Sequence, residues 1–155
     1  MNRKAIFPGT FDPFTIGHLS LIERGLGLVD EIVIAIGVNQ NKKTFFSLQS
    51  RMDMINLLFE HNDKVSVESY NCLTVDFAKE IGAGFILRGI RTVDDFEYEK
   101  NIADVNRKIA GIDTFVLFTE PEHTHISSSI VRELLSYDKS IDEFVPSGMQ
   151  IYKYK

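Results

Sequence analysis

Residues 5–18 read Ala-Ile-Phe-Pro-Gly-Thr-Phe-Asp-Pro-Phe-Thr-Ile-Gly-His, and the order of residue types in this stretch decides how the rest of the chain is read. Ala5-Ile6-Phe7 is a short apolar run of strand character, Pro8-Gly9 ends it abruptly, and Gly17-His18 opens a helix running to Leu28. A strand that stops on Pro-Gly and enters a helix through a polar loop leaves backbone N–H groups and the positive helix end facing whatever lies above the loop. That is an anion-binding arrangement, with the Thr10 hydroxyl and the His18 imidazole standing in it. Gly and Pro also serve turn geometry on their own, and a single histidine at a helix start is commonly a cap, so the loop alone does not establish chemistry.

Working outward, Ile32–Ile36, Val65–Tyr70, Phe85–Leu87 and Thr114–Phe118 are four further β-rich runs. Between and after them, Ser47–His61, Leu73–Ile81, Val93–Ile109 and Ser128–Tyr137 carry apolar residues at helical spacing: Ile55 with Met52, Leu58 and Phe59, then Ile102, Val105 and Ile109, then Ile130, Val131, Leu134 and Leu135. Strict β-α alternation with near-continuous apolar strands predicts a five-stranded parallel sheet with helices on both faces: one doubly wound, Rossmann-like α/β domain over residues 1–155. No repeat or linker divides it.

In such sheets ligands bind beyond the carboxyl ends of the strands, where strand order reverses. The segments on that rim are the unusual ones: residues 8–18, Asn39 to Lys43, Asn71 to Thr74, Arg88 to Arg91 and Thr119 to Ser129. Lys42-Lys43 and Arg88 with Arg91 bring cations to the edge where the first loop points its N–H groups, and phosphate is the natural partner. Lysine pairs in loops are usually just solvated, whereas an arginine directly after the apolar Phe85-Ile-Leu run is costly unless paired. Ile126-Ser-Ser-Ser129 leads into the last helix. Ser127 or Ser128 can cap it, leaving other hydroxyls and amides free for an anion. Of the acidic group Asp94, Asp95, Glu97 and Glu99, only Glu99 lies a turn further in and is a site candidate.

Composition narrows the partner. With 17 Lys+Arg against 22 Asp+Glu, net −5, and 44% apolar and 25% charged residues, the chain is an ordinary globular one without the basic surplus of a nucleic-acid or membrane-surface binder. One cysteine, Cys72, cannot form an internal disulfide or a thiolate zinc site, which fits a reducing cytoplasm. The longest apolar stretch, Ile32 to Val38, is far below the ~18 residues that span a bilayer. Pro8, Thr10 and Asp12 interrupt any apolar leader, so secretion is not expected. His123-Thr-His125 sets two imidazoles close together, yet no carboxylate or thiolate set completes a metal site. No P-loop, dinucleotide fingerprint, hydrolase elbow or zincin motif occurs. A rim rich in phosphate donors with no covalent nucleophile and base pair suits phosphoryl or nucleotidyl transfer, where positioning and charge stabilisation do most of the work.

These residues carry a family resemblance. Pro8-Gly-Thr-Phe-Asp-Pro13 followed by Thr15-Ile-Gly-His18 resembles the G-T-F-D and [HT]-x-G-H signature of the nucleotidyltransferase α/β-phosphodiesterase superfamily, and Ile126-Ser-Ser-Ser129 resembles its second signature. Within it, Lys42-Lys43, Leu87-Arg-Gly-Ile-Arg91, Asp95-Phe-Glu-Tyr-Glu99 and Asn106-Arg107 make residues 3 to about 148 similar to the bacterial phosphopantetheine adenylyltransferases. Two places depart from the pattern: Ile16 stands where many members are polar, and His123-Thr-His125 stands where an aromatic-Ser-Phe is often found.

The resemblance implies reversible transfer of AMP from ATP to 4′-phosphopantetheine, giving dephospho-coenzyme A and pyrophosphate with Mg²⁺ held mainly on the ATP phosphates, in a homohexamer open to feedback by coenzyme A. It implies catalytic roles for Thr10, His18, Lys42 and Arg91. ATP would be held by Thr10, Phe11, His18, Gly89, Ile90, Arg91, Glu99 and the stretch His123, Thr124, His125, Ile126, Ser127, Ser128, Ser129. The acceptor would lie on Thr10, Lys42, Thr74 and Arg88. Two rivals remain at this level: a sister nucleotidyltransferase acting on another phosphate, and a nucleotide-binding sensor without catalysis.

Overall fold

A computed structural model describes residues 2–155. The strands are β1 (Lys4–Gly9), β2 (Glu31–Gly37), β3 (Val65–Tyr70), β4 (Phe85–Ile90) and β5 (Asp113–Phe118). The helices between and after them are α1 (Ile16–Gly25), α2 (Leu48–Leu58), α3 (Thr74–Glu80), α4 (Val93–Ala110) and α5 (Ser128–Ser136). All strand pairs are parallel, in the order β3-β2-β1-β4-β5. This is the doubly wound sheet expected from the sequence, with the reversal of order falling between β1 and β4.

Element ends differ from the sequence reading in ways that matter for the site. The first helix starts at Ile16 rather than His18, because Thr15 caps it: the Thr15 side chain accepts from the His18 N–H, and the His18 ring accepts from the Thr15 N–H. β1 does not stop at Pro8-Gly9 but stays paired with β2 as far as Gly9 opposite Ile36. What stops is its pairing with β4, which is confined to Ala5 with Phe85 and Ile6 with Ile86. A residue's N and C=O point to the same side of a strand. Pro8 faces β4 with no N–H to give, and its carbonyl is taken by the Arg88 guanidinium instead, at 2.7 Å. β4 correspondingly runs on through Arg88 to Ile90, paired with β5, so Arg88 is a strand residue and not a loop residue.

Alternate strand residues separate two cores. Phe7, Ile34, Ile36 and Leu87 face α1, α2 and α5, where they meet Leu21, Ile22, Met54, Ile55, Val131 and Leu135. Ile6, Val33, Ala35 and Ile86 face α3, against Val75, Phe77 and Ala78. The last helix is followed by short 3-10 turns at Ser147–Met149 and Ile151–Tyr154, and Ile141, Val145, Met149 and Ile151 complete the first core. The sequence reading assigned nothing to this segment.

The α4 stripe Ile102, Val105 and Ile109 has the helical spacing expected of a core face, yet these side chains are 41%, 53% and 56% exposed. Glu99 is the one buried residue of the helix. The second face is therefore only partly covered within the chain.

Helix α1 seats closely on the sheet through a glycine. A Cβ on Gly25 would lie 2.6 Å from Leu87 Cδ2 and 3.1 Å from Ile32 Cδ1. Gly25→Ala should therefore lower the denaturant midpoint, by about 1–3 kcal/mol of stability, although alanine favours the helix by about 1 kcal/mol. An unchanged or higher midpoint would show that the packing yields at no cost.

Candidate active site

The loop between β1 and α1 is folded around aromatic rings. Phe11, buried, takes φ 51, a left-handed conformation strained for a bulky residue. Its ring centroid lies 5.1 Å from that of His18, with Phe14 at 5.2 Å and Phe7 at 6.0 Å. The His18 Nδ1 accepts the Thr15 N–H at 2.9 Å. Because that partner must donate, Nδ1 carries no proton and the proton of the neutral ring sits on Nε2. The surrounding rings partly desolvate the imidazole, and Arg88 and Arg91 add like charge. Together, burial first, they push the imidazole pKa down to about 3. The helix adds one more donor: Ile16 N–H is taken by Phe144 O and His18 N–H by Thr15, leaving the Gly17 N–H without a partner among the described residues.

The cations come from four elements and are individually aimed. Lys42 Nζ donates to Thr10 Oγ1 at 3.1 Å. Arg91 Nη1 donates to Ile126 O at 3.0 Å, ahead of α5. Arg88 is bound along one edge by Glu99, Nε to Oε2 at 2.9 Å and Nη2 to Oε1 at 2.5 Å. Arg132, which the sequence reading did not single out, donates to Asp12 O at 2.8 Å and to Ser129 Oγ at 3.1 Å. Its signal is its spacing, one turn beyond Ser128-Ser129 on the same helix. Ser127 is the cap of α5, which frees Ser128 to donate to Pro13 O at 2.7 Å.

Two buried polar residues hold the loop from beneath. Asp12 accepts the N–H groups of Phe45 and Phe46 at 2.7 and 2.9 Å, tying the first loop to the one after β2. Arg51 donates to Thr10 O at 2.7 Å and to Phe46 O at 3.2 Å, and burial lowers its pKa against the opposing pull of Asp12.

Two cavities open at this rim. One, of about 410 Å³, is lined by Phe11, His18, Gly89, Arg91, His123 and Ile126 to Ser129, with Lys43 and Arg132 added. The other, of about 770 Å³, runs between α3 and α4 and is lined by Tyr70, Cys72, Thr74, Ile102 and Asn106. They share Pro8, Gly9, Thr10, Lys42, Arg88 and Glu99. His18, Lys42, Arg91 and Ser128, four residues from four crossovers, thus meet in one cavity.

Three residues that the resemblance gives to ATP lie outside it. Ile90 is buried in the sheet, Thr124 turns its hydroxyl to Pro121 O, and His125 sets its ring against Phe144. His123 lines the cavity with a buried, unpartnered Nδ1. Thr74 lines only the larger cavity, where Tyr70 Oη is 3.0 Å from its hydroxyl. No group of three or more metal-ligating side chains occurs among the described residues.

A cleft at the switch point of an open parallel sheet, rimmed by anion donors, is the site of a nucleotidyltransferase, and the chain belongs to the cytidylyltransferase-like family, whose model matches residues 6–134. Within that family it belongs with the phosphopantetheine adenylyltransferases. It is 62% identical over 149 residues to the phosphopantetheine adenylyltransferase of Bacteroides thetaiotaomicron, covering 96% of this chain and 99% of that one. It is 51% identical over 151 residues to that of Flavobacterium johnsoniae, covering 97% and 99%.

Among solved structures, a bifunctional NMN adenylyltransferase/ADP-ribose pyrophosphatase from Francisella tularensis, complexed with AMP and a manganese ion, superposes with TM-score 0.70 at 17% identity. The match covers 94% of this chain and 44% of that longer one, and it bears on the fold alone.

The depressed His18 pKa gives a signed expectation. The unfolded chain takes up the imidazole proton near pH 6.5, the folded chain only near 3, so the contribution of the neutral ring to stability is complete above about pH 6.5 and falls away as pH drops toward 3. Denaturation at pH 7.5 and pH 5 should show wild type losing more stability than His18→Asn, which cannot titrate. Equal losses would mean that the imidazole protonates in the fold as it does in water.

Proposed function

We propose that the double cleft transfers the adenylyl group of ATP to the phosphate of 4′-phosphopantetheine, giving dephospho-coenzyme A and pyrophosphate, reversibly and without a covalent enzyme intermediate. The observation that carries this reading is the shared wall of the two cavities, Thr10, Lys42 and Arg88. A nucleotide in the smaller cavity and a pantetheine arm in the larger would bring α-phosphate and acceptor phosphate together at these three side chains.

There an oxygen of the acceptor phosphate attacks the α-phosphorus. A new P–O bond forms opposite the bond to the β-phosphate, which breaks to release pyrophosphate. His18, neutral, offers its Nε2–H to charge developing on the phosphates and keeps its proton throughout. Lys42 and Arg88 hold the acceptor. Arg91, Arg132, the Gly17 N–H and Ser128-Ser129 hold the triphosphate.

The cleft carboxylates are already engaged: Asp12 by two amides, Asp95 by the N–H groups of Arg91 and Thr92, and Glu99 by Arg88. This donor set fits Mg²⁺ carried by the nucleotide rather than a protein cage; the ion supplies partial neutralisation of the triphosphate. Coenzyme A, sharing the pantetheine arm, would compete for the larger cavity. Consumption of ATP puts the reaction in the cytoplasm. The exposed α4 stripe supports assembly with other copies of the chain, as a homohexamer whose mass sedimentation velocity reads directly.

The deciding experiment incubates the protein with MgATP and 4′-phosphopantetheine and follows pyrophosphate and dephospho-coenzyme A. ATP binding without pyrophosphate would make the protein a sensor, and pyrophosphate only with another acceptor would make it a sister transferase. In the same assay His18→Ala should lower kcat by about two orders of magnitude or more with little change in ATP affinity. Lys42→Ala should raise KM for the acceptor more than for ATP. Unchanged kcat in the first, or equal losses for both substrates in the second, would remove the residue from its role.

A further inference from the structure

Tyr70 ends β3 opposite Gly37, and its carbonyl takes the Val38 N–H at 2.8 Å. Its ring stacks on Phe77 of α3, with centroids 4.8 Å apart and planes 10° from parallel. It also lies close to Gly37, where a Cβ would come within 3.5 Å of Tyr70 Oη. Held by β2 and α3 together, the phenol ring has little freedom, and its hydroxyl stands at a fixed place. That place is 3.0 Å from Thr74 Oγ1, at the start of α3, and both residues line the larger cavity.

Two hydroxyls carry two protons, and the bond between them uses one. Neither side chain has another hydrogen-bond partner among the described residues, so the pair keeps one unspent O–H donor. Tyr70 and Thr74 line the larger cavity alone, whereas the phosphate-binding Thr10, Lys42 and Arg88 line both cavities. Val38, Leu73, Val75, Ile102 and Val105 share the wall with the pair. A neutral donor in an apolar stretch of wall suits a neutral acceptor rather than an anion. An amide carbonyl brought there from water loses its solvent partner and needs this replacement.

We infer that the Tyr70–Thr74 hydroxyl pair recognises an amide carbonyl of the acceptor's arm, donating its spare O–H to that oxygen. The pair selects an acceptor by its arm, where the shared wall selects by phosphate alone. An arm without the carbonyl would leave the donor unpaired, which is how a polar pocket rejects an apolar analogue. The inference rests on the reaction proposed above, which brings a pantetheine arm into this cavity.

The test is steady-state kinetics of the full chain with MgATP and 4′-phosphopantetheine for wild type, Tyr70→Phe, Thr74→Val and the double variant. Each is also inhibited with octyl phosphate, which brings a phosphate and an apolar arm without a carbonyl. Both substitutions keep the bulk of the side chain and remove its hydroxyl. In the double variant KM for 4′-phosphopantetheine should rise about fivefold or more, the worth of one neutral hydrogen bond. KM for ATP and the Ki of octyl phosphate should stay within about twofold. Each single variant should raise KM for the acceptor about threefold, since the surviving hydroxyl turns its proton to the arm. The single variants decide the matter should the double variant be unstable.

An acceptor KM unchanged from wild type in these variants would overturn the inference, because the arm would then take nothing from the pair. An octyl phosphate Ki that rises in step with the acceptor KM would overturn it too, because the hydroxyls would then only shape the wall. Wild type that forms no dephospho-coenzyme A would instead overturn the proposed reaction, a failure read without any variant.

Discussion

Past Ile6 and Ile86 the two central strands stop pairing, because Pro8 turns toward β4 with no N–H to offer. A parted pair of strands leaves backbone carbonyls that would each cost on the order of 1–3 kcal/mol if buried without a partner. Here each finds a side chain from a different part of the chain. Pro8 O takes Arg88 from β4, Thr10 O takes Arg51 from α2, Asp12 O takes Arg132 and Pro13 O takes Ser128, both from α5. Satisfying the opened strand and its loop thus draws Arg88, Arg132 and Ser128 to one rim, with Arg51 beneath it. A chain of net charge −5 sets Arg132, Lys42, Lys43 and Arg91 around the smaller cavity, beside an Arg88 whose charge Glu99 balances.

Within that cationic rim a protonated histidine would face like charges in an apolar box. The rings of Phe7, Phe11 and Phe14 and the neighbourhood of Arg88 and Arg91 keep the His18 ring neutral, and the cap of α1 fixes which nitrogen bears the proton. His18, which takes the Thr15 N–H in the capping box of α1, also lines the smaller cavity, so the first turn of α1 sets how the imidazole stands in that cavity. Phe144 from the C-terminal segment takes the Ile16 N–H, so the far end of the chain steadies the same turn.

Strand and helix order, and the crowding of unusual residues on one rim, were legible because they are local patterns of period and turn chemistry. Arg51 was not. It lies between Ser50 and Met52 in an otherwise amphipathic helix, and its partners Thr10 O, forty-one residues away, and Phe46 O explain why it is buried. Residues 141–151 show no helical or strand period, so their packing against the first core followed from no local signal. Ile102, Val105 and Ile109 misled in the opposite direction, since periodicity reports that a face is apolar and not what covers it. Arg88 was flagged by its cost after an apolar run, and the structure supplies its partner, Glu99, eleven residues on.

Helix α4 joins these threads. Its apolar stripe lines the larger cavity and stays half-exposed, while its one buried side chain is a carboxylate bound to the arginine that bridges β1 and β4. Apolar contact with the sheet is thus a weak constraint on where the N-terminal half of α4 sits, and the Glu99–Arg88 pair is a strong one. Anything that fills the larger cavity against this stripe bears on the same helix and hence on Glu99. Because Arg88 is anchored at its other end to Pro8 O, a shift of α4 by a fraction of a hydrogen-bond length must break a contact or turn the guanidinium. The apolar stripe of the helix and the wall shared by the two cavities are therefore linked through the Glu99–Arg88 pair.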